Sequence, residues 1–331
     1  MSEDRLLRWL RARLAAPLIG APSIGDDAAV LPAGGPFAVT VDSQIAGVHF
    51  VPDLDPALLA PRLLAVNLSD LAAMGAAPAY AFLALSTPPD FDHRRFFRAL
   101  LTACRQHGVA LAGGDLARGA QTVATLTLIG SRPEGGRFLR RSEAAAGHDL
   151  WLGGTIGESA AGQRLIARGA RLRQGRVELP ADFATSSPVR AAARRAVRRH
   201  LRPEPQLALG TWLGRQREGA AMDVSDGLAK DLRRLCRESG VGAEIVAEEL
   251  PLSDRFTDLC RSIAADPLDL ALGGGEDYVL LFTLPREIDP PAHFRARRIG
   301  RITRSKKIGL RSGGAVGVLP ETGWDHLTQN R

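Results

Sequence analysis

A two-domain α/β (α+β) fold is the class this sequence predicts, on three observations. Strand-like runs alternate with helix-like ones, 35 glycines punctuate them, and 331 residues suffice for two domains with sizeable cores. Apolar content of 45% with 24% charged residues is ordinary for a soluble globular chain.

The elements follow in order. An amphipathic helix over residues 3–14 leads to SIGDDAAVL, a short loop and strand. PFAVTVDSQ alternates as a strand does, and GVHF and a Pro-bounded loop precede a helix ending at Gly75. AYAFLALSTP reads as a strand, and DHRRFFRALLTACRQHG as an amphipathic helix stopped by Gly108. VALAGGD is expected to be a strand running into a Gly-Gly turn, with TVATLTLIGS as the next strand. The Gly-rich, charged stretch 132–149 carries the expected boundary, giving domains of 1–140 and 141–331. The second half restarts with the strand DLWLGG and a helix over about 156–167; residues 169–188 look loop-rich. The Arg-rich helix 189–203 and a helix near 206–217 precede AAMDVSDGLAKDLRRLCRESG, a strand end, turn and helix. AEIVAEELPL, a helix near Phe256, ALGGGEDYVLLFTLP and ARRIGRITR complete the domain.

The segment MSEDRLLRWLRARL is charged throughout and lacks an apolar h-region, so no secretory leader is expected. No window approaches the ~18 apolar residues of a membrane span. Cys104, Cys236 and Cys260 are too scattered for a disulfide framework or a zinc site, and a cytoplasmic protein is expected. A net charge of +7 invites a nucleic-acid reading. Yet the only lysines are Lys230, Lys306 and Lys307, and no aromatic residues interleave with the arginines of 189–203 to stack bases. That helix reads as a solvated or interface helix, with no nucleic acid and no membrane as partner.

Six places share a pattern: an acidic residue beside small residues at the end of an apolar segment. They are IGDDAAV, TVDS, NLSD, AGGD, DVSD and GGGED. Asp is a weak former of strands and helix interiors, so local propensity does not explain them. A turn or cap explains any one of them, but not all six interrupting core-like runs. Asp70 is the sharpest case, since Leu63, Asn67, Asp70, Leu71 and Met74 share one helical face. Converging carboxylates repel by roughly 4 kcal/mol per pair at ~4 Å, so they need cations or raised pKa values. Hard oxygen ligands without a Cys/His pattern suit Mg²⁺, whose remaining ligands are commonly phosphate oxygens. No Walker A motif and no protein-kinase motif set is present. GGTIGESAAG offers backbone N–H groups at a helix N-terminus to a phosphate, as a weak signal alone.

Taken together and in order, IGDDAAVL, TVDSQIAGVHF, LAVNLSDLAAMGAAPAY, LAGGDLARG, LRRSEAAAGHDLWLGGTIGESAAG, RHLRPEP, MDVSDGLAKDL, LGGGEDYVLLFT and GWDHL resemble the thiamine-monophosphate kinase family. That family belongs to the superfamily of the aminoimidazole ribonucleotide and selenophosphate synthetases. The resemblance spans almost the whole chain. It implies an N-terminal mixed-sheet domain with helices on one side that binds metal and ATP and forms a homodimer through its sheet. It also implies a C-terminal α/β domain and an active site in the cleft between the two.

The implied reaction is transfer of the γ-phosphoryl group of ATP, the co-substrate, to thiamine monophosphate, assisted by several Mg²⁺ ions. By position, the resemblance implies metal ligands at Asp27, Thr40, Asp42, Asp70, Asp115, Asp223 and Asp226, with Val41 able to offer only its carbonyl. Asp42, Asp70, Asp115 and Asp223 are the implied catalytic carboxylates. Gly114, Asp115, Arg141 and Ser225 fall at ATP-contacting positions, and His49 and Glu276 at substrate-contacting ones. Trp324 is a candidate to stack on the thiamine, and Glu321 stands where the family commonly has an aromatic residue. Asn67 is expected to support Asp70. The alternatives are another ATP-dependent superfamily member or an Mg²⁺-dependent phosphohydrolase; no Cys precedes Cys104, which counts against a selenophosphate synthetase.

Overall fold

The computed structural model describes Trp9, residues 35–183 and residues 185–325. The expected helix at 3–14 (Trp9 aside), the segment 24–30 with Asp27, and His326 lie outside the described residues. Contacts divide the chain into two units, one running to Leu71 and taking in Ala76–Glu134, the other holding Ala72–Gly75 and everything from Gly135 on.

The first unit contains β1 (Phe37–Ile45), α1 (Pro56–Ala73, whose end joins the second unit), β2 (Ala77–Thr87), α2 (His93–Gln106), β3 (Ala110–Arg118) and β4 (Val123–Ser131). Its sheet has the order β1-β4-β2-β3. β4 pairs antiparallel with β1 and β2, while β3 runs parallel to β2, so the sheet is mixed. Period-two alternation puts Ala38, Leu83, Leu85, Leu126 and Leu128 inside. On the other side of β1, Phe37, Val39 and Val41 remain 42%, 60% and 58% exposed.

Two expectations change here. β3 does not turn at its glycines; it runs through Gly113, Gly114 and Asp115 to Arg118. The pairing steps from Leu111 to Gly113 opposite consecutive residues of β2, so Ala112 is bulged out and the ladder continues. The apolar stripe of α1 is in fact a full circumference: from Leu58 to Ala73 every residue is buried except Pro61 and Asp70. Asp70 is thus the half-open point of a helix that is otherwise enclosed.

The second unit contains β5 (Asp149–Leu152), α3 (Glu158–Ala167), β6 (Arg171–Arg173), β7 (Arg176–Glu178), α4 (Ser187–Leu201), α5 (Leu207–Gly214), β8 (Ala221–Asp223), α6 (Leu228–Ser239), β9 (Gly242–Val246), α7 (Asp254–Ser262), α8 (Pro267–Gly273), β10 (Leu280–Leu284), β11 (Arg297–Thr303), β12 (Ile308–Ser312) and β13 (Ala315–Val318). Seven strands form one sheet in the order β13-β12-β9-β11-β5-β10-β8. All of its pairs are antiparallel except β9 with β12. β10, next to the terminal strand β8, is buried on both sides: Leu281 joins a core with Leu150, Leu232 and Ile299, whereas Leu280, Phe282 and Leu284 join another with Leu209, Leu213 and Ala72.

The segment 169–188 is not all loop, because β6 and β7 form a hairpin turning at Gln174 and Gly175, both at positive φ. Buried Leu172 and Val177 anchor it, and strands of three residues are too short to register as a periodic pattern. Among the described residues no helix is long and apolar enough to cross a membrane.

Candidate functional site

In the first unit the site begins where α1 packs on edge strand β1. Thr40 and Asp42 alternate with exposed Val41 and share the inward side with Ala38 and Gln44. The Thr40 hydroxyl donates to Asp70 Oδ2 at 2.5 Å. One helical turn earlier, Asn67 Oδ1 accepts the Asp42 N–H at 3.1 Å, and its Nδ2 donates to the Leu63 carbonyl at 2.9 Å. Asn67 therefore holds β1 at Asp42, whereas Thr40 holds Asp70; the expected Asn67 support goes to the other carboxylate's backbone. Below them, buried Arg62 donates through Nε to Gln44 Oε1 at 3.0 Å. These bonds fix the crossing at three successive inward positions of β1.

His49 lies in the turn after β1, where its Nδ1 accepts the Ile45 N–H at 3.1 Å. That bond places the ring proton on Nε2. Gly114 and Asp115 are exposed on β3, the opposite edge strand. At Gly114, with φ of +152°, a Cβ would lie 1.9 Å from the Leu83 carbonyl oxygen, so only glycine fits. The register sets Asp42, Leu126, Leu83 and Gly114 in one row and Ser43, Thr125, Ala84 and Asp115 in the next. Asp115 thus belongs to the row of alternate facing, and three strand spacings separate its strand from that of Asp42.

In the second unit the predicted motifs come together. The β8–β10 pairing continues beyond the strands: Tyr278 N–H donates to the Val224 carbonyl at 2.9 Å and Glu276 N–H to the Ser225 carbonyl at 2.7 Å. Glu276 and Tyr278 sit at φ of +55° and +50°. The Trp324 N–H donates to the Asp226 carbonyl at 2.9 Å, and Lys230 Nζ reaches the Trp324 carbonyl. So DVSD, GGGED and GWD meet through their main chains. Asp223 is buried, and Ser225 and Glu276 are half-buried. Arg141 is exposed on a short 3₁₀ turn, Arg141–Glu143, where its carbonyl accepts from Ser239 Oγ at 2.6 Å.

Three residues that shape this half were not foreseen. Asp231 is fully buried, and its Oδ2 accepts the N–H groups of Ser225 and Asp226 at 3.1 and 2.9 Å. Burial, then the neighbouring Asp226, raises its pKa to about 6. Arg234 bridges it to Asp226, whose Oδ2 lies 2.7 Å from Arg234 and 3.2 Å from Lys230. The Asp226 carboxylate is therefore already matched by two cations. Asp277, also buried, accepts the N–H groups of Gly157 and Ser159 at 2.7 and 3.2 Å. Burial pushes its pKa up to about 7 against the lowering effect of those bonds. It caps α3, so these two N–H groups of GGTIGES are taken by a carboxylate, not offered to a phosphate. His200, at the end of α4, is the third.

Among the described residues no three His, Cys, Asp or Glu side chains gather into a metal-binding group. The donors at the β1–α1 crossing are a hydroxyl and carboxylates, with no thiolate or imidazole, the set that fits a hard cation such as Mg²⁺.

Comparison with known proteins agrees with this architecture. Residues 25–131 match the family model described as AIR synthase related protein, N-terminal domain. A thiamine-monophosphate kinase of Salmonella typhimurium is 41% identical over 79% of this chain and 76% of its own length. Among solved structures, AaThiL complexed with AMPPCP and TMP superposes with a TM-score of 0.76 at 29% identity, covering 99% of both chains. The thiamine-monophosphate kinase of Stenotrophomonas maltophilia K279a gives a TM-score of 0.76 at 34% identity, over 96% of this chain and 98% of its own.

Proposed function

This chain belongs to the thiamine-monophosphate kinase family, and from that premise we propose that it transfers the γ-phosphoryl group of ATP to the phosphate of thiamine monophosphate, yielding thiamine diphosphate and ADP. The observation that carries this reading is the β1–α1 crossing, where Thr40, Asp42 and Asp70 are fixed by hydrogen bonds to the facing element. A rigid set of hard oxygen donors suits phosphoryl transfer, in which positioning and charge neutralisation do most of the work.

In this reading Thr40, the Val41 carbonyl, Asp42 and Asp70, with Asp27, hold Mg²⁺ from the first unit, and Asp223 and Asp226 do so from the second. Bound there, Mg²⁺ would neutralise phosphate charge and align donor and acceptor for in-line displacement. Arg141 and Ser225, with Gly114, contact the nucleotide. His49 donates from Nε2 to the acceptor phosphate, and Glu276 and Trp324 meet the thiamine rings. The acceptor phosphate is itself the nucleophile, so no protein base has to remove a proton. The division of labour is 1–140 for metal, ATP and self-association and 141–331 for the remaining contacts, in the cytoplasm where ATP is at hand.

A homodimer completes the reading. Phe37, Val39 and Val41 leave an apolar strip on the outer side of β1, which a second copy would cover. Asp115 supports it independently. Three strand spacings of about 4.8 Å put its strand about 14 Å from that of Asp42, too far for one Mg²⁺ with ligands about 2.1 Å away. Asp115 then meets the metal and nucleotide of the partner copy.

Incubation with Mg²⁺, ATP and thiamine monophosphate, with products identified by ³¹P NMR, tests the reading. Thiamine diphosphate and ADP in equal amounts are expected. Free phosphate without thiamine diphosphate would instead make the protein a phosphohydrolase.

A further inference from the structure

His200 is buried, 4% exposed, in the last turn of α4. Its Nδ1 lies 3.2 Å from Ser159 Oγ and 3.4 Å from Glu276 Oε2. Ser159 belongs to the first turn of α3, whose N–H groups Asp277 accepts. Two adjacent acids, Glu276 and Asp277, are thereby tied to one helix end by separate routes. Asp277 binds its backbone, and Glu276 reaches it through the imidazole.

Glu276 needs such a tie. Its backbone is left-handed, at φ of +55°, a conformation that a non-glycine residue keeps only where its surroundings hold it. Its N–H is committed to Ser225, and its side chain is half-buried, where a fixed polar neighbour narrows the rotamers it adopts. A buried ring nitrogen stands within reach of one of its carboxylate oxygens.

The geometry assigns His200 as the positioning residue that sets the Glu276 carboxylate against the cationic ring of the acceptor, and so governs recognition of that substrate. This rests on the reading of Glu276 as a substrate contact. A carboxylate held in place favours a cationic heterocycle over a neutral one, while a mobile carboxylate spends part of that preference on being ordered.

Steady-state kinetics with thiamine monophosphate and ATP varied separately test this. His200→Gln keeps a buried polar side chain but carries its donor at the Nε2 position, whereas His200→Asn keeps it near Nδ1. His200→Gln should raise the KM for thiamine monophosphate about tenfold, the scale of one lost charge-assisted hydrogen bond, with the KM for ATP unchanged. His200→Asn should return it to within about threefold of the parent, and His200→Gln should add nothing in the background of Glu276→Gln. A parental acceptor KM in His200→Gln, or an effect additive to that of Glu276→Gln, overturns the proposal. An unchanged acceptor KM in Glu276→Gln alone would overturn the reading of Glu276 and take this proposal with it, a result separate from the first.

Discussion

Asn67 and Asp42 meet across 3.1 Å, the amide oxygen of the helix accepting the N–H of the strand. Among the described residues β1 is an edge strand, and α1 supplies the acceptor for that N–H. Asn67→Ala is expected to lower unfolding free energy by about 1–3 kcal/mol, as for other buried polar partners lost. Urea denaturation measures it. The specific activity should fall as well, because the strand that carries Asp42 loses its anchor; full activity in a destabilised variant would refute that link.

Asp70→Asn separates chemistry from packing. The Thr40 hydroxyl can still donate to the amide oxygen, and the site is the half-open point of α1, so the melting temperature should stay within about 3 °C of the parent. Phosphoryl transfer should drop by about 10²–10³-fold, the usual scale for loss of one charge-stabilising group. A folded variant with parental turnover would remove Asp70 from the metal set.

Asp277 makes stability depend on pH. Its pKa in the folded protein is raised to about 7 from the ordinary 3.8 by burial, so the folded state holds its proton more tightly than the unfolded one. Its contribution is fully present below pH 3.8 and is lost as pH rises through about 7. Relative to Asp277→Asn, the parent should therefore lose stability steadily between these values. Asp231 acts in the same direction up to about pH 6, but it is common to both proteins and cancels in the difference. Denaturation of the pair at several pH values checks this; a flat difference would contradict the assignment.

Val41→Asp tests the self-association surface. Val41 is 58% exposed, so the change costs the isolated unit little, yet it places a charge in the apolar strip. Light scattering should show a dimer in the parent and a monomer in the variant, with activity lost alongside because Asp115 no longer reaches its partner. A dimeric variant would locate the interface elsewhere.

The order of elements was legible because long periodic segments announce themselves; β1, α1, α2 and α6 all fall within a few residues of their expected places. What escaped depends on contacts distant in sequence. The bulge at Ala112 exists only because β3 pairs with β2, and no local pattern distinguishes it from a Gly-Gly turn. The hairpin of β6 and β7 needs the burial of Leu172 and Val177 to stand out from a charged loop. In the site, the motif acids were visible as interruptions of apolar runs. Asp231 and Asp277 were hidden among them: one followed a motif by five residues, and the other stood beside a more conspicuous glutamate. His200 offered no signal at all, since its partners come from α3 and from the Gly-rich loop. An acid that anchors a loop and an acid that faces a ligand look alike until the donors are located.

The clip between Lys230 and Trp324 spans 94 residues. During synthesis at about 5–20 residues per second, the helix bearing Lys230 therefore waits some 5–20 s for the segment that fastens its neighbouring loop. For that interval Asp226 and Asp231 have their cations from α6, but the Asp226 carbonyl lacks its Trp324 donor. A nascent chain arrested between these points would hold the DVSD sequence without the segment that closes over it.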